Sequence, residues 1–164
     1  MEYDHEFDRS FMQRTLVVVR EYSGPYDATV LLNCLLGLLI VPKESLLERI
    51  PTTPLASLAE WGISPESIRR TGSRTKANPG PETLRGVVHN LRNAVAHFRF
   101  HPFQRDGVVI GFEFKDRSGF DARIEVAQMR IFVERLAQHL ERTPARRLGD
   151  GERQREPHEP RLGA

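Results

Sequence analysis

The chain has 164 residues, of which 39% are hydrophobic and 28% are charged, and these are the proportions of a soluble globular domain. Lys and Arg number 24 against 22 Asp and Glu, so the formal net charge is only +2. This balance excludes nucleic-acid binding through bulk charge and leaves local basic patches as the route. The single cysteine, Cys34, excludes an internal disulfide. Together with an N-terminus that lacks a secretory signal, it favours the cytoplasm.

The first part of the chain predicts two helices. Residues 5–22 place apolar side chains at helical spacing, and the Ser-Gly-Pro sequence at 23–25 ends this helix. Asp27 is expected to cap a second helix that runs to Val41. Because this helix is apolar nearly all round, we expect it at the centre of the fold. It is too short to cross a membrane and contains Asn33, which needs a hydrogen-bond partner if it is buried.

An irregular region then leads to a third helix. Prolines and a glycine break residues 43–68 into short helical turns, and residues 69–81 form a polar, basic loop. Pro81 and Glu82 are typical of a helix start, and we expect the helix Thr83–Phe100 to end before Pro102. Its predicted core-facing residues are Leu84, Val87, Val88, Leu91, Val95 and Phe98. Its opposite arc carries Gly86, His89, Asn90, Asn93 and His97.

The polar arc of this helix is unusual for a solvent-exposed surface. It lacks the Glu–Lys pairs that exposed helices commonly carry, and the small residues Gly86, Ala94 and Ala96 would let another backbone approach. Arg92 and His97 are five residues apart, which is roughly 7–8 Å along a helix axis. They can be ordinary surface residues, or they can converge on a phosphate, since arginine binds phosphate and histidine transfers protons near neutral pH.

After this helix the pattern changes to alternation. Apolar residues alternate within 108–114 and again within 120–126, and the turn sequence Asp-Arg-Ser-Gly separates them, which predicts a β-hairpin at about 107–125. Residues 126–141 return to helical spacing. From residue 143 to 164 almost no apolar side chain remains, so a disordered charged tail is expected.

The run Arg92-Asn93-Ala94-Val95-Ala96-His97 resembles the R-polar-x-x-x-H signature of the HEPN superfamily of small helical ribonucleases and nucleotide-binding domains. The surrounding sequence, PETLRGVVHNLRNAVAHFRF followed by GFEFKDRSGF, resembles a plasmid- and prophage-type HEPN subgroup. The resemblance covers residues about 5–142. It implies a mainly α fold: an antiparallel helical bundle over residues 1–142, to which the hairpin is an addition.

The resemblance also implies a chemistry and a partner. The helices that carry the motif in two protomers would face each other, so a homodimer through the Thr83–Phe100 helix is expected. His97 would be general base or acid, Arg92 would hold the scissile phosphate, and Asn93 would orient the histidine or the phosphate. The implied reaction uses no metal and no other cofactor, and it leaves a 2′,3′-cyclic phosphate and a 5′-hydroxyl. Such an enzyme would be a toxin or defence effector with RNA as substrate and an antitoxin as partner.

Other polar residues have two interpretations each. Tentative RNA contacts, which can equally be solvated or interface residues, are His89, Arg99, Arg69, Arg70, Arg74 and Lys76. His97 and His101 have the spacing of two metal ligands on a helix, but no Cys or acidic ligand accompanies them and Pro102 would end the helix there. The alternatives to a ribonuclease are a non-catalytic HEPN-like dimer that binds RNA, nucleotide or a protein, and a structural helical module.

Overall fold

A computed structural model of the chain describes residues 3–41 and 47–143. Within these ranges the helices are α1 (Tyr3–Glu21), α2 (Asp27–Ile40), α3 (Leu84–Ala96) and α4 (Val126–Arg142), and the strands are β1 (Ile68–Arg70), β2 (Phe100–Arg105), β3 (Val108–Lys115) and β4 (Asp121–Glu125). Two short 3-10 helices, Leu55–Trp61 and Pro65–Ser67, join α2 to β1. The expected tail at 144–164 lies outside the described residues, as does the start of the predicted turn region at 42–46.

The strands form one antiparallel sheet in the order β1-β4-β3-β2. The helices cover one face of this sheet, because α3 and α4 contact β3, and α4 also contacts β4. Alternate residues of β3 and β4 are buried beneath the helices: Phe112, Phe114, Ala122 and Ile124. The other face carries charge, and the Arg123 guanidinium lies 3.9 Å from the centre of the Phe103 ring. The fold therefore has a helical layer and a sheet layer.

The predicted hairpin is present as β3 and β4, but the sheet has four strands rather than two. The extra strand β2 pairs with β3 through the two-residue turn Asp106–Gly107. Both turn residues have positive φ, 51° and 79°, which is the geometry of a tight β-hairpin turn. Two predictions were wrong. Residues 69 and 70, which were expected to begin the basic loop, belong to β1, and residue 100, which was expected to end the third helix, begins β2.

Helix α2 lies in the core along one side only. Leu31, Leu35, Leu38 and Leu39 are fully buried, whereas Asn33 is exposed and therefore does not need an internal partner. The prediction that Asp27 caps this helix was wrong, because the N-cap is Tyr26 and no side-chain cap bond forms there. The Asp27 carboxylate instead accepts a hydrogen bond from Arg130 of α4, and Arg130 also donates to the Val19 carbonyl of α1. No helix in the described residues is long and apolar enough to cross a membrane.

Helix α3 ends earlier than predicted, and the reason lies in its last residues. The N–H of Phe98 donates to the carbonyl of Val95 at 3.0 Å, and that of Arg99 donates to Ala94 at 2.7 Å. These two bonds define a Schellman motif, in which the residue after the C-cap adopts the left-handed conformation. That residue is Phe98, with φ 52°.

The end of α3 places an aromatic residue where glycine is usual. A left-handed conformation costs a residue with a side chain about 1–2 kcal/mol. The prediction that Phe98 faces the core was also wrong, since 83% of its surface is exposed. The other five predicted core residues of this helix are buried, so Phe98 is the exception, and core packing does not explain it.

Candidate functional site

The face of α3 that carries Arg92 lines a groove of about 500 Å³. Arg85, His89 and Arg92 are spaced by four and three residues, which aligns them along one side of the helix. Lys76 approaches from the preceding loop, and Glu48 supplies an opposite charge on the rim. Apolar atoms of Leu47, Val88 and Pro79 complete the lining. The groove therefore combines cations with apolar surface, and its volume is in the range of sites that hold small ligands.

The wall formed by the loop at 76–80 is pinned to α3 by a buried amide pair. The Asn78 Nδ2 donates to the Asn90 Oδ1 at 3.0 Å and to the Gly86 carbonyl at 3.1 Å. The Asn90 Nδ2 then donates to the carbonyl of Thr71 at 2.9 Å. Both asparagines are at least nine-tenths buried, so their bonds have little competition from water.

The small residue Gly86 does accommodate another backbone, but that backbone is the chain's own. A Cβ on Gly86 would lie 2.1 Å from the Gly80 carbonyl oxygen and 2.6 Å from the Pro81 Cα. Ala94 is buried in the core, and only Ala96 of the three predicted small contact residues is exposed. A second copy of α3 would therefore have to approach its C-terminal half.

The end of α3 is tied to the turn between β3 and β4 by Asp116. The Asn93 Nδ2 donates to one Asp116 carboxylate oxygen at 3.4 Å, and the Arg99 guanidinium lies 4.0 Å from the other. The Asp116 side chain is 8% exposed. Asp116 thus contacts Asn93 and Arg99, which precede and follow His97 in the chain.

His97 is the C-cap of α3, and its side chain is exposed. The residue lies just beyond the last helical residue, with its N–H bonded to the Asn93 carbonyl at 3.1 Å. His101 lies in β2, so the two histidines do not share a helix and the geometry that suggested a metal pair is absent. Exposure at a helix end leaves the His97 imidazole accessible to a substrate.

The remaining predicted cations are engaged with carboxylates away from the groove. Arg69 pairs with Glu113 at 3.4 Å, and Arg70 pairs with Asp121 at 3.3 Å. Arg74 pairs with Glu82 at 2.6 Å. Each pair places a carboxylate beside the guanidinium and so neutralises charge that a phosphate would need.

The structure therefore divides the predicted site residues into three groups. Lys76, His89 and Arg92 line one groove, whereas His97, Asn93 and Arg99 gather at the end of α3. The three arginines at 69, 70 and 74 join neither group. Sequence reasoning missed the roles of Asn78 and Asp116, which position these groups, although buried amides and turn aspartates are recognisable candidates for such bonds.

Cys34 is half-buried in α2, and burial raises the pKa of its thiol. A raised pKa disfavours the thiolate, which is the nucleophilic form. Cys34 therefore suits a role as a small hydrophobic residue in α2.

Comparison with protein families gives one match. The model of the family described as HEPN pEK499 p136 matches residues 1–146 of the chain. Searches of curated proteins and of solved structures returned no match. The matched range includes all of α1 to α4, the sheet and the Arg92–His97 motif. The chain therefore belongs to the HEPN pEK499 p136 family, a plasmid-type family of the HEPN superfamily.

Proposed function

We propose that the chain is a metal-independent endoribonuclease of HEPN type that acts as a toxin or defence effector. The observation that carries the proposal is the placement of the motif: His97 is exposed at the end of α3, and Asn93 beside it is fixed by Asp116. Arg92 lines a groove that also contains Lys76 and His89. A proton-transfer group and a surface that suits a phosphate thus lie on one helix, with His97 five residues beyond Arg92.

In the proposed reaction the RNA 2′-hydroxyl attacks the adjacent phosphorus. His97 accepts the hydroxyl proton, Arg92 stabilises the charge that develops on the phosphate, and the bond from phosphorus to the 5′ oxygen breaks. The leaving oxygen takes a proton from the His97 of a second protomer. Asn93 orients the first histidine or the phosphate. The products are a 2′,3′-cyclic phosphate and a 5′-hydroxyl, and no water or metal enters the step.

A direct test is RNA cleavage in the presence of EDTA. The wild type is expected to cleave, and the Arg92→Ala/His97→Ala double variant is expected to lose cleavage while it keeps its fold. Activity that appears only after a divalent metal is added would contradict the proposed chemistry.

A second candidate function is binding without cleavage, either of RNA, of nucleotide or of a protein partner. The groove favours it, because cations and apolar surface in one cavity can hold a nucleotide whether or not His97 acts. The presence of an exposed histidine in the motif favours the enzyme, since a binding site does not need a proton-transfer group. RNA that is bound but never cut by the wild type would support this second function.

The groove leads to a prediction about salt. Lys76→Ala should weaken binding of single-stranded RNA and should lower the slope of log affinity against log salt by about 0.7, which is the value for one lost phosphate contact. Arg135→Ala is the matched control, because Arg135 is an exposed cation on α4. Fluorescence anisotropy at several salt concentrations measures the affinity and the salt slope of each variant. An unchanged slope for the Lys76 variant would show that the strand does not follow the groove.

We also propose a homodimer in which two α3 helices meet at their C-terminal halves. Ala96 is exposed there, and a two-fold axis would place the residue near its own copy. Ala96→Glu should therefore convert dimer to monomer through like-charge repulsion, with a change in stability within about 0.5 kcal/mol. Sedimentation velocity measures the mass.

The control for this variant is Ala127→Glu, which adds the same charge at an exposed alanine of α4. It should leave the mass unchanged. A wild type that is monomeric at micromolar concentration, or an Ala96→Glu variant that remains dimeric, would contradict the proposed interface.

A further inference from the structure

Phe98 follows His97 directly and combines two unusual properties. It has the largest exposed fraction, 83%, of the exposed large hydrophobic residues in the described part of the chain. It also holds the left-handed conformation, with φ 52°, at the position of a Schellman motif that glycine normally occupies. A residue held in a disfavoured conformation without burial is a candidate for function.

Polar and basic residues adjoin Phe98 in the chain. The neighbouring side chains in sequence are His97 and Arg99, and the exposed Lys115 is joined to the same segment through its N–H bond to the Arg99 carbonyl at 2.9 Å. The Phe98 ring lies beside that of the half-buried Phe100, at a centroid distance of 6.4 Å. Phe98 lies beyond the end of α3, outside the helix surface on which the proposed dimer contact is centred, and basic residues adjoin it.

An exposed aromatic ring with basic residues beside it is typical of a surface that binds single-stranded nucleic acid. In such sites basic groups follow the phosphates, and the face of the ring stacks against an unpaired base. The hydrogen bonds of Phe98 and Arg99 to the end of α3 fix the backbone that presents the ring. A backbone that is already fixed reduces the conformational freedom that is lost when a base stacks on the ring.

We propose that Phe98 is a stacking platform for one unpaired base of RNA and thereby a specificity-determining residue. The inference rests on the proposed function, in which the scissile phosphate lies beside His97. Because consecutive Cα atoms are about 3.8 Å apart, a base on Phe98 belongs to a nucleotide next to that phosphate. The site therefore requires the flanking nucleotide to be unpaired, so the substrate class is single-stranded RNA or a loop rather than a duplex.

The test measures whether the contribution of the Phe98 ring to RNA affinity disappears when one base is removed from the RNA. The probes are a short 2′-O-methyl oligonucleotide, which lacks the attacking hydroxyl and is not cleaved, and a series that carries one abasic position each. Phe98→Gly is expected to weaken binding of the intact oligonucleotide by about 5- to 150-fold. It should leave unchanged the affinity for the one abasic probe that lacks the stacked base. Phe98→Trp should bind all probes as the wild type does, and Phe98→Leu should resemble Phe98→Gly.

Folding does not confound the glycine variant, because glycine favours the conformation that Phe98 adopts. Its melting temperature should equal or exceed that of the wild type. Equal weakening for the intact and for every abasic probe would overturn the proposal. So would wild-type affinity in Phe98→Leu, or a Phe98→Gly variant that loses affinity only because it changes from dimer to monomer.

Failure of the stacking proposal and failure of the proposed function give different results. If the wild type binds and cleaves RNA but no probe shows dependence on Phe98, only the stacking platform is wrong. If the wild type binds none of the oligonucleotides, both are wrong. If it binds with the expected dependence but never cleaves, the stacking platform stands and the ribonuclease does not.

Discussion

Replacing His97 by alanine is expected to lower the rate of RNA cleavage by about 10²- to 10⁴-fold, the usual contribution of a general acid or base. The side chain is exposed at the end of α3. The free energy of unfolding should therefore change by no more than about 0.5 kcal/mol. Single-turnover cleavage of a labelled oligonucleotide measures the rate, and thermal unfolding measures the stability.

His101→Ala is the matched control for this variant. His101 is also exposed and lies close in sequence, but it belongs to β2 rather than to the end of α3. Its removal should leave the cleavage rate within about twofold. A His97→Ala variant that cleaves as fast as the wild type would remove His97 from the chemistry, and the motif would then have to act through Arg92 alone.

Gly86→Ala is expected to lower the free energy of unfolding by about 1–3 kcal/mol, as overpacking in a close-packed region usually does. The new Cβ would lie 2.1 Å from the Gly80 carbonyl oxygen, and backbone cannot turn aside as a side chain can. For a chain of this size the melting temperature should fall by about 2–4 °C per kcal/mol. The loop at 76–80 would be displaced from α3, so RNA affinity should fall as well.

Gly37→Ala provides the comparison, because Gly37 is also inside a helix. Its new Cβ would lie 2.5 Å from the Cζ of Phe11, which is the far end of a side chain that can rotate. The gain in helix propensity, about 1 kcal/mol, offsets that adjustment, and the stability should stay close to that of the wild type. A Gly86→Ala variant as stable as Gly37→Ala would mean that the loop at 76–80 is not tightly packed on α3.

Hydrophobic spacing in the sequence predicted most of the helices and the hairpin. Helix α4 is the clearest case: Met129, Phe132, Val133, Leu136 and Leu140 recur at helical spacing, and all are buried. The alternation in β3 and β4 was equally informative, since one face of each strand packs beneath the helices. These patterns are local, and burial of one face determines them directly.

The end of α3 and strand β2 could not be predicted in the same way. A glycine or asparagine normally marks a left-handed helix end, and here Phe98 occupies that position, so the helical pattern seemed to continue. A signal was present in Asp106–Gly107, a dipeptide typical of tight hairpin turns. That turn implied a strand on its N-terminal side, and Pro102 in that strand is consistent with its place at the sheet edge.

The site was predictable in its residues but not in its arrangement. Arg92, Asn93 and His97 were identified from the motif, and helical spacing placed His89 on the face of His97, whereas the structure places it with Arg92 in the groove. The groove depends on a loop that folds back onto α3 through Asn78 and Asn90. Such a contact joins residues from different elements, so no periodicity in the sequence reveals it. The same loop fills the space beside Gly86, where the sequence predicted the approach of a partner's backbone.

The most direct test of the proposed ribonuclease is the chemistry of the RNA ends that it produces in EDTA. We predict a 2′,3′-cyclic phosphate and a 5′-hydroxyl at each cut, together with no cleavage after a nucleotide whose 2′-hydroxyl has been replaced by hydrogen. Mass spectrometry of the fragments distinguishes these ends. Fragments with a 3′-hydroxyl and a 5′-phosphate, or cleavage after the 2′-deoxy nucleotide, would contradict the proposed roles of Arg92 and His97.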